Sequence, residues 1–314
     1  MATTSKTNNI AITLNEARAI AITLNASELA IVVGVNPYQN IRDIIIKLWA
    51  RYFMTDYSNL LNKIKTVNKI EIIQETEYEC LNRLITKYKP EMKPTLAACL
   101  KSGDTADLKS NQAQILKELA ANKDIPVEEK AIIEKTMKSV SNKSFGTRKE
   151  KDSIAKYEEI THKKVQRIGK YFTTPIITDH ISNQSLFPKI TWSIGGKIDG
   201  MTEDGEIVEV KNRVRAFFHE VREYENIQIQ TYFRLLDVTS GYLVESLVKK
   251  GGQLEINVIA VAYDAEYWDT FLIPRIEKFI EFFYNIMMDE EYKMRLLLQK
   301  ETVMEKEIKK ALLK

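Results

Sequence analysis

Apolar residues recur every three or four positions over most of this chain and every second position in a few short stretches, so helices should outnumber strands. Residues 1–9 are polar and non-periodic, which suits a disordered start. Asn25 or Ser27 stands where a cap is needed for a short helix to Val33, with Gly34 to end it and Asn36, Pro37 and Tyr38 to turn the chain. Ile44, Ile45, Leu48, Trp49 and Tyr52 mark one stripe of the next helix, over 41–53. The interval 55–143 is polar, rich in Lys and Glu and helical in period, with helices expected over 57–67, 70–88, 111–121 and 127–140. Pro90, Pro94, Gly103 and Pro126 punctuate it. After Gly146 a further amphipathic helix is expected, with Ile154, Tyr157 and Ile160 on its buried side. Strands are expected over 164–172, 176–181, 242–246 and 254–263, and helices over 219–236, 266–288 and 290–314. Phe271, Ile276, Phe279, Ile280 and Phe283 form a core stripe in the second of these, while the last is charged and expected to be loosely attached. A pentapeptide, Ala-Ile-Thr-Leu-Asn, occurs at 11–15 and again at 21–25, too little repetition for a solenoid.

The stretch 192–213 carries the strongest chemistry. It reads as a β-hairpin, with one arm from Trp192 to Asp199, turn residues over 200–205, and a second arm from Glu206 to Lys211. Asp199 lies on one arm. Glu209 and Lys211, two apart on the other, share a sheet face. Two carboxylates suit a hard divalent cation, and a neighbouring lysine can orient a water and offset charge in a phosphoryl-transfer transition state. Glu150 lies on the same helical stripe as Ile154 and Tyr157, where a carboxylate is costly to bury unless it meets a cation or a donor.

Composition narrows the class. With 314 residues, 44% hydrophobic and 28% charged, the chain can bury a full core. A net charge of +3 says little about partners, but 135–170 holds eleven Lys or Arg against four Asp or Glu, a block able to hold phosphate backbones. Cys80 and Cys99 form no CxxC pair, which argues against a zinc ribbon, and two cysteines are too few for a four-cysteine iron–sulfur site within one chain. They read as thiols in a reducing, intracellular compartment. No signal peptide or membrane-spanning run is evident, and His162, His180 and His219 share no ligand spacing. No Gly-rich NTPase loop is present.

The pattern Asp-x9-Glu-x-Lys, with a glycine after the Asp, resembles the PD-(D/E)xK nuclease superfamily. Three further segments resemble its YqaJ-like, lambda-exonuclease-type viral recombinases, in the same order along the chain. They are Ala-Ser followed by Asn-Pro-Tyr (Ser27, Tyr38), Gly-x3-Glu with a later Tyr-Glu (Gly146, Glu150, Tyr157, Glu158), and Gln-x3-Tyr (Gln228, Tyr232). The resemblance implies an α/β fold with a central mixed β-sheet flanked by helices, a restriction-endonuclease-like core. Its division would be 1–54 and 144–290 for the core, 55–143 for a helical insertion and 291–314 for a C-terminal helix. It implies a metal-dependent DNA exonuclease, 5′→3′ on linear duplex ends, serving viral or phage-type recombination, repair or replication. Mg²⁺, with Mn²⁺ as substitute, would be held by Asp199, Glu209, Glu150 and the carbonyl of Val210, with Lys211 on the water. Gln228, or failing it Gln230, would support the lysine alongside Tyr232. Ser27, with Arg18 or Lys197, would hold the 5′-phosphate of the DNA. Arg18 stands two residues too far upstream of Ser27 for the family pattern, and Lys197 replaces a small hydroxyl residue. A homo-oligomer (relatives form trimers), a single-strand-annealing partner, no membrane contact, and a host cytoplasmic or nuclear location for a viral protein also follow. A structure-specific endonuclease and a nuclease-fold module that binds DNA or a host factor are the alternatives.

Overall fold

The computed structural model describes residues 19–72, 75–178, 180, 181, 187 and 189–313. Arg18 and the first pentapeptide copy lie outside them. In the second copy, Ile22 and Leu24 alternate with more exposed residues to form β1 (Ile20–Asn25), which runs straight into α1 (Ala26–Val32). Ser27 therefore falls in the first turn of α1. After Gly34, at φ 80°, and a turn closed by Asn36 Oδ1, which accepts from Tyr38 N and Gln39 N (2.8 and 3.1 Å), α2 (Ile41–Tyr52) buries the expected stripe from Ile44 to Trp49.

Then come α3 (Met54–Asn68), α4 (Glu77–Tyr88), α5 (Lys93–Leu100), α6 (Thr105–Ala121) and α7 (Val127–Thr161). The helix expected over 70–88 starts seven residues late. Lys69 takes φ 58° and ends α3, and Thr76 opens α4 with a reciprocal capping box, its Oγ1 accepting from Glu79 N at 3.2 Å while its own N–H donates to Glu79 at 2.7 Å. From α4 to the first half of α7 the helices share a core of their own, which includes Leu81, Ile85, Leu108, Ile115, Ile133 and Phe145 and also takes in Val248.

The two helices expected over 127–140 and after 144 are one, 35 residues long. Gly146 lies inside it. Its carbonyl accepts from Asn212 Nδ2 at 2.9 Å, and an added Cβ would meet only the Asn212 Cβ at 3.9 Å, an ordinary contact. Gly146→Ala should therefore stabilise the fold by about 0.5–1 kcal/mol, the usual gain for alanine over glycine in a helix interior. Urea denaturation measures it, and a lower midpoint would count against this packing.

The strands form two sheets, both mixed, with helices packed against them, so the class is α/β as expected. In the three-stranded sheet, β4 (Ile190–Gly196) lies between β1, which is parallel to it, and β3 (Phe172–Ile176), which is antiparallel. The five-stranded sheet runs in the order β2 (Val165–Gln166), β5 (Gly200–Thr202), β6 (Ile207–Arg213), β7 (Ser240–Val248), β8 (Leu254–Ala262), with β6 and β7 parallel. The hairpin is thus shorter than the sequence suggested. The residues from Trp192 to Gly196 belong to β4 in the other sheet, because Ile190, Trp192 and Ile194 bury against the large core between β1 and the helices. The chain crosses at 197–199, and only 200–202 pairs with β6. Gly205, at φ 82°, supplies the left-handed residue in the connecting turn. The strands expected over 164–172 and 176–181 shrink to β2 and β3. Of the second, 179 lies outside the described residues, and 177, 178, 180 and 181 are not strand.

α8 (Glu223–Leu236) precedes β7. Beyond β8 a helical turn and a wider π-helical stretch (Trp268–Leu272) lead into α9 (Ile273–Met288), followed by α10 (Glu290–Leu298) and α11 (Glu301–Leu312). The C-terminal segment is two helices and is firmly seated. Leu296, Met304 and Ile308 are fully buried in the main core. The Lys293 ammonium bonds Asp56 at 2.9 Å, and Glu305 accepts from the N–H groups of Ile41 and Arg42 at 3.2 and 3.1 Å. Glu305 so caps α2 from 264 residues away, a partner that sequence spacing cannot show.

Candidate active site

Alternation along β6 sends Val208 and Val210 toward Ile154 and Tyr157 of α7, and sends Glu209, Lys211 and Arg213 to the opposite face, against α8. Pairing of β5 with β6 stops at Gly200 and Val208. Asp199, just before β5, takes the next place along that edge, its Oδ2 accepting from the Val210 N–H at 2.8 Å. A strand residue points its N–H and C=O to the same edge, so the Val210 carbonyl also faces the side where Asp199 sits.

The Lys211 ammonium lies between Glu209 Oε1 at 2.8 Å and Gln228 Oε1 at 2.7 Å, and Gln228 Nε2 donates to the Tyr232 hydroxyl at 2.8 Å. Tyr232 in turn packs against the end of β4. A Cβ on Gly196 would come within 2.7 Å of the Tyr232 ring and 3.1 Å of Ala26, so glycine there lets the site's tyrosine and the first turn of α1 close on the strand. Glu150 on α7 donates its field to both acids, raising Asp199 and Glu209, but its own Oε1 is held by Arg167 at 2.7 Å.

Burial, then the nearby Glu209 charge, push the Asp199 carboxyl well above the ordinary carboxylate range. Burial raises Glu209 too, against the opposing pull of Lys211. Burial alone would lower the Lys211 ammonium, but Glu209, Asp199 and Glu225 together outweigh it and the net direction is upward, so Lys211 stays charged at neutral pH. The second oxygen of Glu209 is buried with no hydrogen-bond partner, an arrangement that costs about 1–3 kcal/mol unless a cation or donor meets it. Two carboxylates, one of them with that unpaired oxygen, and a strand carbonyl are a hard-oxygen donor set and fit a divalent cation. Among the described residues no three His, Cys, Asp or Glu side chains stand together as a ready-made metal cage, and Glu150 is the carboxylate drawn aside.

Because Asp199 holds its proton more tightly folded than unfolded, the folded state binds the extra proton between the two pKa values, and stability falls as pH rises through that window. Asp199→Asn removes this penalty. It should raise the melting temperature of the metal-free protein at neutral pH and abolish any further rise with Mg²⁺ or Mn²⁺. An unchanged metal response would take Asp199 out of the site.

The other candidates spread out. Ser27 and Lys197 are exposed at the two chain segments that flank Gly196 and Ala26. Gln230 points elsewhere, its amide tied to Ala262 O and Asp264 N, both at 2.8 Å, which anchors α8 to the end of β8. Of the histidines, His180 pairs with Glu277 at 3.0 Å and His219 donates its backbone N–H to Glu245 at 3.0 Å. Cys80 and Cys99 are free thiols, and no helix among the described residues is long and apolar enough to cross a membrane.

One cluster went unread in the sequence. Arg213, two residues past Lys211 on the same face, makes a bidentate pair with Glu225 (2.6 and 2.9 Å) and a third bond to Glu245 (2.7 Å), all three buried. Glu245 also accepts from the N–H groups of Phe218 and His219 at 2.9 and 3.0 Å. This network fixes the first turn of α8 to β6 through Glu225, three residues before Gln228. The period-two spacing of Glu209, Lys211 and Arg213 was the available signal.

Fold and site together define the class: an α/β protein with a partly buried acid–lysine centre where β6 runs past the end of β5. No family model and no curated protein matches the chain. Among solved structures, the chain is similar to an alkaline exonuclease (LHK-Exo) from Laribacter hongkongensis, at 17% identity over 65% of this chain and 87% of that one, with a TM-score of 0.30. The same enzyme in complex with dAMP matches at 16% identity, 67% and 92% coverage and a TM-score of 0.30. A phage-related exonuclease from Haemophilus somnus 129PT matches at 11% identity over 88% of this chain and 98% of that one, with a TM-score of 0.37. At such scores the likeness carries no weight for the chemistry, which rests on the site.

Proposed function

We propose that this protein is a metal-dependent nuclease that hydrolyses DNA phosphodiester bonds, acting 5′→3′ from the ends of linear duplex. The observation that carries the proposal is the juxtaposition of Asp199, Glu209 and Lys211, with one Glu209 oxygen buried and unpaired. Asp199, Glu209 and the Val210 carbonyl would hold Mg²⁺ or Mn²⁺, with Glu150 as a further carboxylate. Such an ion supplies Lewis acidity and lowers the pKa of water. Lys211, kept charged by Glu209, orients the attacking oxygen and offsets negative charge on the phosphate as it develops. Gln228 keeps the ammonium aimed by accepting a hydrogen bond from it, and Tyr232 fixes which end of the amide faces the lysine. Ser27 and Lys197, exposed near the first turn of α1, are suited to a terminal 5′-phosphate.

The test is release of acid-soluble nucleotides in Mg²⁺ from linear duplex carrying 5′-phosphates, against covalently closed circles of the same sequence. Digestion of the linear form alone supports an exonuclease, and equal attack on circles replaces it with an endonuclease. No release from either, together with no Mg²⁺ or Mn²⁺ shift in melting, overturns the nuclease.

A further inference from the structure

The third carboxylate, Glu150, does not point freely into the acid–lysine centre. The guanidinium of Arg167 holds its Oε1 at 2.7 Å. Backbone placement independently brings Arg167 to the rim. β2 pairs with β5 in the register Val165 with Thr202 and Gln166 with Met201, so Arg167 leaves the strand directly after the residue facing Met201, which is two positions along the chain from Asp199. The Arg167 side chain is 53% exposed and the Glu150 side chain 23%. One nitrogen of the guanidinium engages Glu150, and a guanidinium carries five N–H donors in a fork that matches phosphate oxygens. The Glu150 charge acts on both Asp199 and Glu209, so a divalent cation between those two would draw it inward.

We propose that Arg167 is a phosphate-contacting residue that exchanges partners on substrate binding: its guanidinium pairs with Glu150, and when a nucleic-acid phosphate takes that guanidinium, Glu150 is released toward the cation. This rests on the nuclease assignment above and adds a substrate contact and a coupling to it. Each ligand removes the partner that the other's side chain must give up, so cation and phosphate bind with positive cooperativity, equal in both directions. The pair is half in solvent, so its strength as a stabilising contact is small, which suits a contact that must break on every turnover.

Isothermal titration of the full-length protein with Mn²⁺ alone, and fluorescence anisotropy of a short labelled duplex in Ca²⁺, test this. Arg167→Gln should tighten Mn²⁺ binding about fivefold and weaken duplex binding by a similar factor, the low end of ordinary coupling. In a Glu150→Gln background the same change should leave Mn²⁺ affinity unmoved yet still weaken the duplex. A merely structural surface pair would give neither the opposed signs nor the dependence on Glu150. Wild-type Mn²⁺ affinity in Arg167→Gln, or an equal shift in both backgrounds, overturns the exchange. Asp199→Asn separates the two levels. If it binds Mn²⁺ as the wild type does, the metal site itself is wrong; if it loses Mn²⁺ while Arg167→Gln changes nothing, only the exchange is wrong.

Discussion

Lys211→Ala should lower the rate of Mg²⁺-dependent nucleotide release at least about a hundredfold, the usual cost of removing one positioned donor from a developing charge. The loss should fall on the chemical step, because Asp199 and the Val210 backbone remain in place. A stability effect accompanies it. Lys211 is the hydrogen-bond partner of Glu209, a carboxylate 3% exposed whose other oxygen has none. Without the lysine a buried charge stands uncompensated, at a cost of about 3 kcal/mol. Mg²⁺ should restore part of that loss, since the proposed metal site includes the same carboxylate. Single-turnover rates on a 5′-phosphorylated duplex, with urea melts in EDTA and in Mg²⁺, measure both. A rate equal to wild type would remove Lys211 from the mechanism.

Arg213→Ala should be the most destabilising single change near the site, by about 3–5 kcal/mol, because it removes the guanidinium shared by two buried carboxylates. The melting temperature should drop by roughly 10 °C. Arg213→Lys should recover little, since a point charge cannot reproduce the bidentate bonds to Glu225 together with the third to Glu245. Burial works to raise the Glu245 carboxyl, but the Phe218 N–H, Asn257, Arg213 and the His219 N–H together hold it below its ordinary value. Its stabilising contribution is therefore present above the unfolded value near 4.5 and is lost as pH falls through the folded one. Arg213→Ala should blunt that acid transition. A variant melting within about two degrees of wild type would show that the network carries little of the fold.

Local pattern was enough for much of this protein. The stripe of α2, the core face of α9, the strand β8 and the period-two spacing of Glu209 and Lys211 were all legible, because each depends on which side of one element faces the interior. Gly146 misled, since a lone glycine costs a helix only about 1 kcal/mol and packing on either side outweighs it. The long first arm of the hairpin misled as well. Alternation from Trp192 to Asp199 is compatible with either sheet, and what divides them is burial of Trp192 and Ile194 beside β1, more than 160 residues earlier in the chain.

What only the tertiary structure decided are the pairings between distant charges. Arg213 with Glu245, Glu305 on the start of α2, Lys293 with Asp56 and Arg167 on Glu150 join residues whose separations carry no period. A sequence displays side-chain types and the face they share within one helix or strand. Which buried charge meets which is settled by packing of separate elements, where an unpaired ion costs several kcal/mol and so selects its partner wherever in the chain that partner lies.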